Sequence, residues 1–226
     1  MSKLFIQMPS QTIENYIKAI YQLSESDSFS VSTSSLSEQL STTAASVTDM
    51  LKKLAEQKLI EYIKYKGVKL TPNGRAMALQ LIRKHRIWET FLHTNLGITW
   101  DEVHEIAEQL EHIKSDLLID KLDESLNYPK YDPHGDPIPD ASGKFTFRLQ
   151  KPLIQVHPGE KVKVVGVKDH RTSFLKYLDS IPLALEQTIE VKEKIDFDDS
   201  LIIKLNDTNS WTLSAQAAEK ILVKSV

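Results

Sequence analysis

The sequence predicts a mostly helical chain with β structure in two places: a winged helix-turn-helix first, a helical middle, and a small antiparallel β-barrel at the end. Three observations carry this. Apolar residues recur at helical spacing through most of residues 11–126, a β-branched and aromatic run interrupts them at 59–71, and from Leu153 onward short β-rich runs alternate with turns. In the first helix the repeat is Ile13, Tyr16, Ile17, Ile20 and Leu23, with Ser10 or Thr12 available as its cap. A polar break at Ser24–Ser30 ends it. Val31–Leu40 and Thr42–Gln57 read as two helices around a turn at Ser41 and Thr42, the second carrying Ala44, Val47, Leu51 and Leu54 on one face. Leu59–Thr71 then reads as a hairpin turning at Lys66-Gly67, and Pro72 suits the first position of the next helix. Helix, turn, helix and two-stranded wing make the winged motif.

The helical pattern persists from Pro72 to about Leu126, broken at Asn95–Thr99, where Thr99 can cap a helix beginning at Trp100. Pro129, Pro133, Pro137, Pro139 and Pro152, with Gly135 and Gly143, exclude a helix over 127–152, which reads as loop and linker. In the tail, Lys161–Val167, Thr188–Lys192, Leu201–Leu205 and Ile221–Val223 are the expected strands of the barrel. The division is therefore 1–75 winged helix, 76–140 helical domain, 141–152 linker and 153–226 β domain.

Composition narrows the chemistry. The 226 residues include no cysteine, which excludes disulfides, thiolate metal sites and thiol nucleophiles. No apolar stretch approaches the ~18 residues of a membrane span. The start, MSKLFIQMPS, turns polar too soon for a secretory signal, so a cytoplasmic location is expected. Charge is uneven: residues 76–126 hold five Lys/Arg against ten Asp/Glu and four of the seven histidines, His85, His93, His104 and His112. Carboxylates and imidazoles together suit divalent cations. No glycine-flanked serine elbow is present for a hydrolase, and the repeated Glu-x-x-His pairs of a di-metal oxidase appear only as fragments, so no enzyme is expected.

Reading Val103–His112 as one helix at 100° per residue places His104, Glu108, Glu111 and His112 within an arc of roughly 100°. That arc borders the apolar face of Val103, Ala107 and Leu110. On the preceding helix His85 and Glu89 are four apart and share a face. A single His/Glu pair of this kind is most simply a solvated helix face, but two matching sets on successive helices point to a metal. His93, His134 and His157 lack such company and read as surface or loop residues. A regulator switched by a small organic ligand is the alternative, and it leaves the arc without a use.

The order of winged helix, the runs Arg83-Lys-His-Arg-Ile-Trp-Glu89 and Val103-His-Glu-Ile-Ala-Glu-Gln-Leu-Glu-His112, and the turn Gly135-Asp-Pro-Ile-Pro139 resemble the diphtheria-toxin-repressor family of metal-dependent transcriptional regulators. The resemblance covers the whole chain, its tail being similar to the family's SH3-like (FeoA-like) domain. It implies a homodimeric repressor that binds palindromic operator DNA when loaded with Mn²⁺ or Fe²⁺ and controls metal-homeostasis genes. It implies two sites: an ancillary one at His85, Glu89 and His104, and a primary one at Glu108, Glu111, His112 and Asn15 of the first helix. Iron-sensing members place Met and Cys where this chain has Asn15 and Glu108, and manganese-sensing members place Asp and Glu. The donors here are hard oxygen and nitrogen, which leans to Mn²⁺. Lys18 stands where some manganese sensors have a second first-helix carboxylate, and alignment of the tail points to Asp169, His170 or Ser173 as further ligands. A metal joining Asn15 to Glu108–His112 would tie the first helix to the dimer-forming helices.

For DNA, the second helix of the motif should enter the major groove by its N-terminal end, presenting Thr43, Ala45, Ser46, Thr48 and Asp49. None is an Arg or Asn suited to bidentate base contact, so shape should supply much of the specificity. Lys52, Lys53, Lys64, Lys66, Lys69 and Arg75 give a basic surface for phosphates.

Overall fold

In a computed structural model of the chain, residues 10–26, 30–63, 67–205 and 209–226 are described. Lys64 and Lys66, expected in the basic surface for phosphates, lie outside the described residues. The chain divides into two compact units. Unit 1 comprises residues 1–85, 111–114 and 139–144, and unit 2 comprises 86–110, 115–138 and 145–226.

Unit 1 contains the winged motif. Helix α1 (Gln11–Ser26) opens with the Ser10 hydroxyl accepting the Ile13 N–H at 3.4 Å. Helix α2 (Thr33–Gln39) is capped by Ser32 and α3 (Ala44–Glu56) by Thr43, whose hydroxyl accepts the Ser46 N–H at 3.2 Å. Both helices start two residues later than periodicity suggests, because a capping residue lies outside its helix. Strands β1 (Ile60–Ile63) and β2 (Gly67–Leu70) form the antiparallel wing, and Val31 pairs with Val68 beside it. Gly67 adopts φ +97°, and a Cβ there would collide with the Val31 carbonyl, so this position admits glycine alone. Ile17, Ile20, Leu36, Val47, Leu51, Leu54 and Val68 are buried. Helix α4 (Pro72–Leu96) follows, with the Thr71 hydroxyl accepting the Gly74 N–H.

Unit 2 carries α5 (Val103–Leu110) and α6 (Asp116–Ser125). The single helix expected beyond Thr99 is thus two. The Thr99 hydroxyl donates to Glu102 Oε2 at 2.9 Å instead of capping, and α5 starts at Val103. It stops at Leu110 because Ser115 caps a new helix through the Leu118 N–H at 3.3 Å. Glu111 and His112 therefore sit in a turn past the helix end and leave the face computed for one continuous helix.

The tail matches the expected β domain, with additions. Strands β3 (Lys151–Pro152), β4 (Lys161–Val167), β5 (Thr188–Lys194), β6 (Leu201–Lys204), β7 (Ser210–Leu213) and β8 (Ile221–Ser225) form an antiparallel sheet in the order β3-β8-β4-β5-β6-β7. Helices α7 (Thr172–Ser180) and α8 (Ala215–Lys220) pack with it around one core that includes Leu153, Leu175, Leu178, Ile189, Leu201, Ile203 and Leu213. The proline-rich stretch is irregular, as expected, yet it is no solvated loop: Asp132, His134 and Ile138 are all buried. Arg148 holds it in place, donating to the Gly135 and Val165 carbonyls with its guanidinium 3.7 Å over the Tyr131 ring. Among the described residues no helix is long and apolar enough to cross a membrane.

Candidate metal centre

In unit 2, α4 presents Glu89 from a buried face, 3% exposed, and α5 brings His104 Nδ1 to 3.3 Å from its carboxylate. His104 Nε2 lies 3.6 Å from Glu108, one turn on, and both of these residues are exposed. The loop adds two donors that periodicity did not mark. Asp132 turns the chain by accepting the N–H groups of His134 at 2.8 Å and Asp136 at 3.0 Å through one oxygen. This Asx-type turn aims His134 inward. Glu89, Asp132 and His134 each offer a ligand atom within 4.8 Å of the others, and all three are buried.

His134 is thus no surface residue. At 1% exposure it stacks between Trp100, 6.4 Å away, and His170, 4.7 Å away, and its Nε2 lies 2.7 Å from the Trp100 carbonyl. An acceptor at that distance makes Nε2 the protonated nitrogen, which leaves Nδ1 as a lone-pair donor 3.9 Å from Glu89. Burial pushes the imidazole below its ordinary value, against the pull of the Glu89 charge, and so favours the neutral form a metal needs. Asp132 is driven the other way. Burial raises its carboxyl well above the usual range, the Asp136 and Glu89 charges raise it further, and Arg86, 3.6 Å away, only partly offsets them.

A buried site where carboxylates crowd one another and an imidazole is kept neutral fits a divalent cation with oxygen and nitrogen preference. From the tail, His170 borders the group, and its buried Nε2 has no hydrogen-bond partner among the described residues. Asp169 is engaged elsewhere: its carboxylate takes Arg171 and Lys220, which hold it far below the usual range, and Ser173 is exposed.

Unit 1 gathers a second set. Glu111 is 2% exposed, and its Oε2 accepts from Lys18 Nζ at 2.6 Å and lies 2.5 Å from His85 Nδ1. His112 Nδ1 lies 2.6 Å from Glu14. Asn15 is exposed, and it is the neighbouring Glu14 that reaches the histidine. Burial alone would raise Glu111, but the His85 hydrogen bond and the Lys18 charge outweigh it and hold the carboxyl below its ordinary value. His85 is one turn before Glu89 on α4, and its Nδ1 is used by Glu111.

On the DNA side, Thr43, Ala45, Ser46, Thr48 and Asp49 are all exposed along the first turns of α3. Thr43 is the cap, Thr48 donates to the Ala44 carbonyl, and Asp49 accepts from Lys52 at 3.0 Å. Lys53 is exposed, Lys69 lies half-buried on β2, and Arg75 rests 5.0 Å over the Tyr21 ring.

Three family descriptions match in succession: iron dependent repressor, N-terminal DNA binding domain, over residues 8–68; iron dependent repressor, metal binding and dimerisation domain, over 71–140; and FeoA domain, over 151–225. The chain is 29% identical over 198 residues to an iron-dependent repressor, IdeR, of Mycobacterium leprae, covering 87% of this chain and 79% of that protein. It is 34% identical over 125 residues to the transcriptional regulator MntR of Oceanobacillus iheyensis, covering 55% and 84%. Among solved structures, a manganese-dependent transcriptional repressor in complex with manganese superposes with a TM-score of 0.80 at 36% identity, covering 95% of this chain and all of that one. The manganese regulator SloR follows the same fold with a TM-score of 0.70 at 33% identity, covering 95% and 98%.

Proposed function

This chain belongs to the iron-dependent repressor family, and from that premise we propose that it is a cytoplasmic repressor that binds palindromic operator DNA as a homodimer when loaded with Mn²⁺ or Fe²⁺, controlling metal-homeostasis genes. The observation that carries the metal reading is the buried group of Glu89, Asp132 and His134, with His104 and His170 at its edge. Every donor is oxygen or nitrogen and the chain has no thiol, which favours Mn²⁺. Manganese dependence is also what the solved structure with the 0.80 superposition is named for.

A bound ion would supply charge: it would let Asp132 and Glu89 both stay ionised in a site that otherwise sets them against each other. The protein's own groups do the rest. Arg86 holds the far side of the loop, donating to Asp136 at 3.1 Å and to the Pro137 carbonyl, so Asp132 and His134 are positioned before any ion arrives. Glu89 sits towards the end of α4, the helix that begins directly after the wing. Fixing Glu89 restrains that helix, and the two recognition helices of a dimer must hold a spacing of about one DNA turn, ~34 Å, to read a palindrome. Coupling of metal to DNA then equals the difference in metal affinity between DNA-competent and other arrangements. At the groove, Ala45, Ser46 and Thr48 offer hydroxyl and methyl contacts, and Lys52 and Lys69 suit phosphates.

The test is selection from a random duplex pool by the full chain, with Mn²⁺ and with chelator. The reading expects a two-fold symmetric sequence enriched in Mn²⁺ alone. The same sequence enriched in chelator would overturn it.

A further inference from the structure

The two clusters differ in one respect that the metal reading does not use: the unit 1 cluster contains its own cation. Lys18 is 7% exposed, on the buried side of α1 between Ile17 and Ala19, and its Nζ donates to Glu111 Oε2 at 2.6 Å. A lysine is seldom buried so deeply unless it is paired. Its Nζ is also 3.3 Å from His85 Nδ1, but that nitrogen is 2.5 Å from the same carboxylate oxygen and so must be a donor itself. Lysine and histidine therefore converge on one oxygen of Glu111, an arrangement in which two donors surround a carboxylate much as a metal would share it. His112 completes the group by turning Nδ1 to Glu14, 2.6 Å away.

We propose that the Lys18 ammonium is a resident cation of unit 1, holding α1 to α4 and to the 111–114 turn without a metal and excluding a divalent ion from Glu14, Glu111 and His112. Three features support it. Each of the two carboxylates already has a cationic or imidazole partner, so the cluster does not present the mutually opposed carboxylates found around Asp132. An ion reaching Glu111 would stand next to an ammonium buried where water screens little, and like charges at that range repel strongly. Expelling Lys18 instead would mean drawing a side chain that is 7% exposed away from Glu111 and out of a buried position on α1. This assignment rests on the metal-repressor reading only in placing the functional ion elsewhere, at Glu89, Asp132 and His134.

The test counts Mn²⁺ bound by the full chain, from the loss of the free-ion electron paramagnetic resonance signal. Glu89→Ala, His104→Ala and His134→Ala together remove the donors that could hold an ion outside this cluster, and in that background Lys18 is compared with Lys18→Gln. The expected result is no uptake with Lys18 and one ion per subunit with Lys18→Gln, an affinity gain of roughly 100-fold or more. Lys18→Met, which keeps the methylene stem, carries the same comparison should the amide unfold the chain, and circular dichroism checks each variant. Equal uptake by both chains, or none by either, overturns the assignment. The repressor reading is judged separately, because a chain that binds operator only with Mn²⁺ yet gains no metal on losing Lys18 refutes the Lys18 assignment alone.

Discussion

Replacing Asp132 by Asn removes one negative charge from the unit 2 cluster and leaves the turn intact, because the amide oxygen can still accept the His134 and Asp136 N–H groups. The ligand atoms of Asp132 and Glu89 lie within 4.8 Å, so at an effective dielectric of about 20 their ionised forms repel by about 3.5 kcal/mol. Arg86, 3.6 Å from the other Asp132 oxygen, returns about 4.6 kcal/mol, and Asp136 takes part of that back. Burial adds a further cost to the ionised Asp132, so the Arg86 attraction is more than offset and the metal-free stability of Asp132→Asn at neutral pH should equal or exceed that of the original. The metal-bound state is another matter. At Mn²⁺ one hundred times the dissociation constant, binding stabilises the folded chain by about 2.7 kcal/mol. A lost ligand that weakens binding about 100-fold leaves only about 0.4 kcal/mol at the same concentration. For a chain of this size the Mn²⁺-induced rise in melting temperature should shrink from about 5–10 °C to 1–2 °C by scanning calorimetry. An undiminished rise in Asp132→Asn would refute the placement of the ion. The pH dependence follows with its sign. Asp132 has a raised carboxyl in the folded metal-free chain, so folding takes up a proton, and its contribution to stability is lost as pH rises from the unfolded value of 3.8 through the folded one. Saturating Mn²⁺ should remove that loss, and Asp132→Asn should remove it without metal.

Glu111→Gln leaves Lys18 and His85 buried without their counter-charge and should cost about 3–5 kcal/mol in urea unfolding. Because the Glu111 carboxyl is held below its unfolded value of 4.5, its contribution is present above that pH and is lost as pH falls through the folded value, a dependence the variant should lack. Gly135 has φ +88°, and a Cβ would collide with the Val165 carbonyl and Gly166, so Gly135→Ala should lower the melting temperature and weaken Mn²⁺ binding together by misplacing His134. A melting temperature within 2 °C of the original, as roughly 0.5 kcal/mol would give, contradicts that strain. Lys52→Ala and Lys69→Ala should each reduce the salt slope of DNA binding by about 0.9, for operator and random duplex alike, and a loss confined to operator would contradict phosphate contact.

Local signals made much of the fold legible. Ser32, Thr43 and Pro72 sit where caps and first-turn residues belong, the turn at Gly67 demands glycine, and the strands around Val162, Ile189 and Ile203 alternate as half-buried strands do. Two short helices leave no such signal. Thr172–Ser180 and Ala215–Lys220 are nine and six residues long, too short for a helical repeat to stand out from its β-rich surroundings. The Ser115 cap was present in the sequence but was overridden by apolar spacing that continues across it. Of the site, the His/Glu spacing on α4 and α5 was readable because both partners lie on elements with a period. His134 was not, since its environment is made by Trp100 and His170, each more than thirty residues away, and a loop has no period to reveal which side faces in. The difference between Asn15 and Glu14 is of the same kind. They are adjacent positions 100° apart on α1, and only the docking of the 111–114 turn decides which one meets His112.

The most direct test of where the ion binds is anomalous diffraction at the manganese absorption edge from crystals of the Mn²⁺-loaded full chain. One peak per subunit within bonding distance of Glu89, Asp132 and His134, with Lys18 still on Glu111, is the predicted result. A peak among Glu14, Glu111 and His112 with Lys18 displaced, and none beside His134, would contradict it.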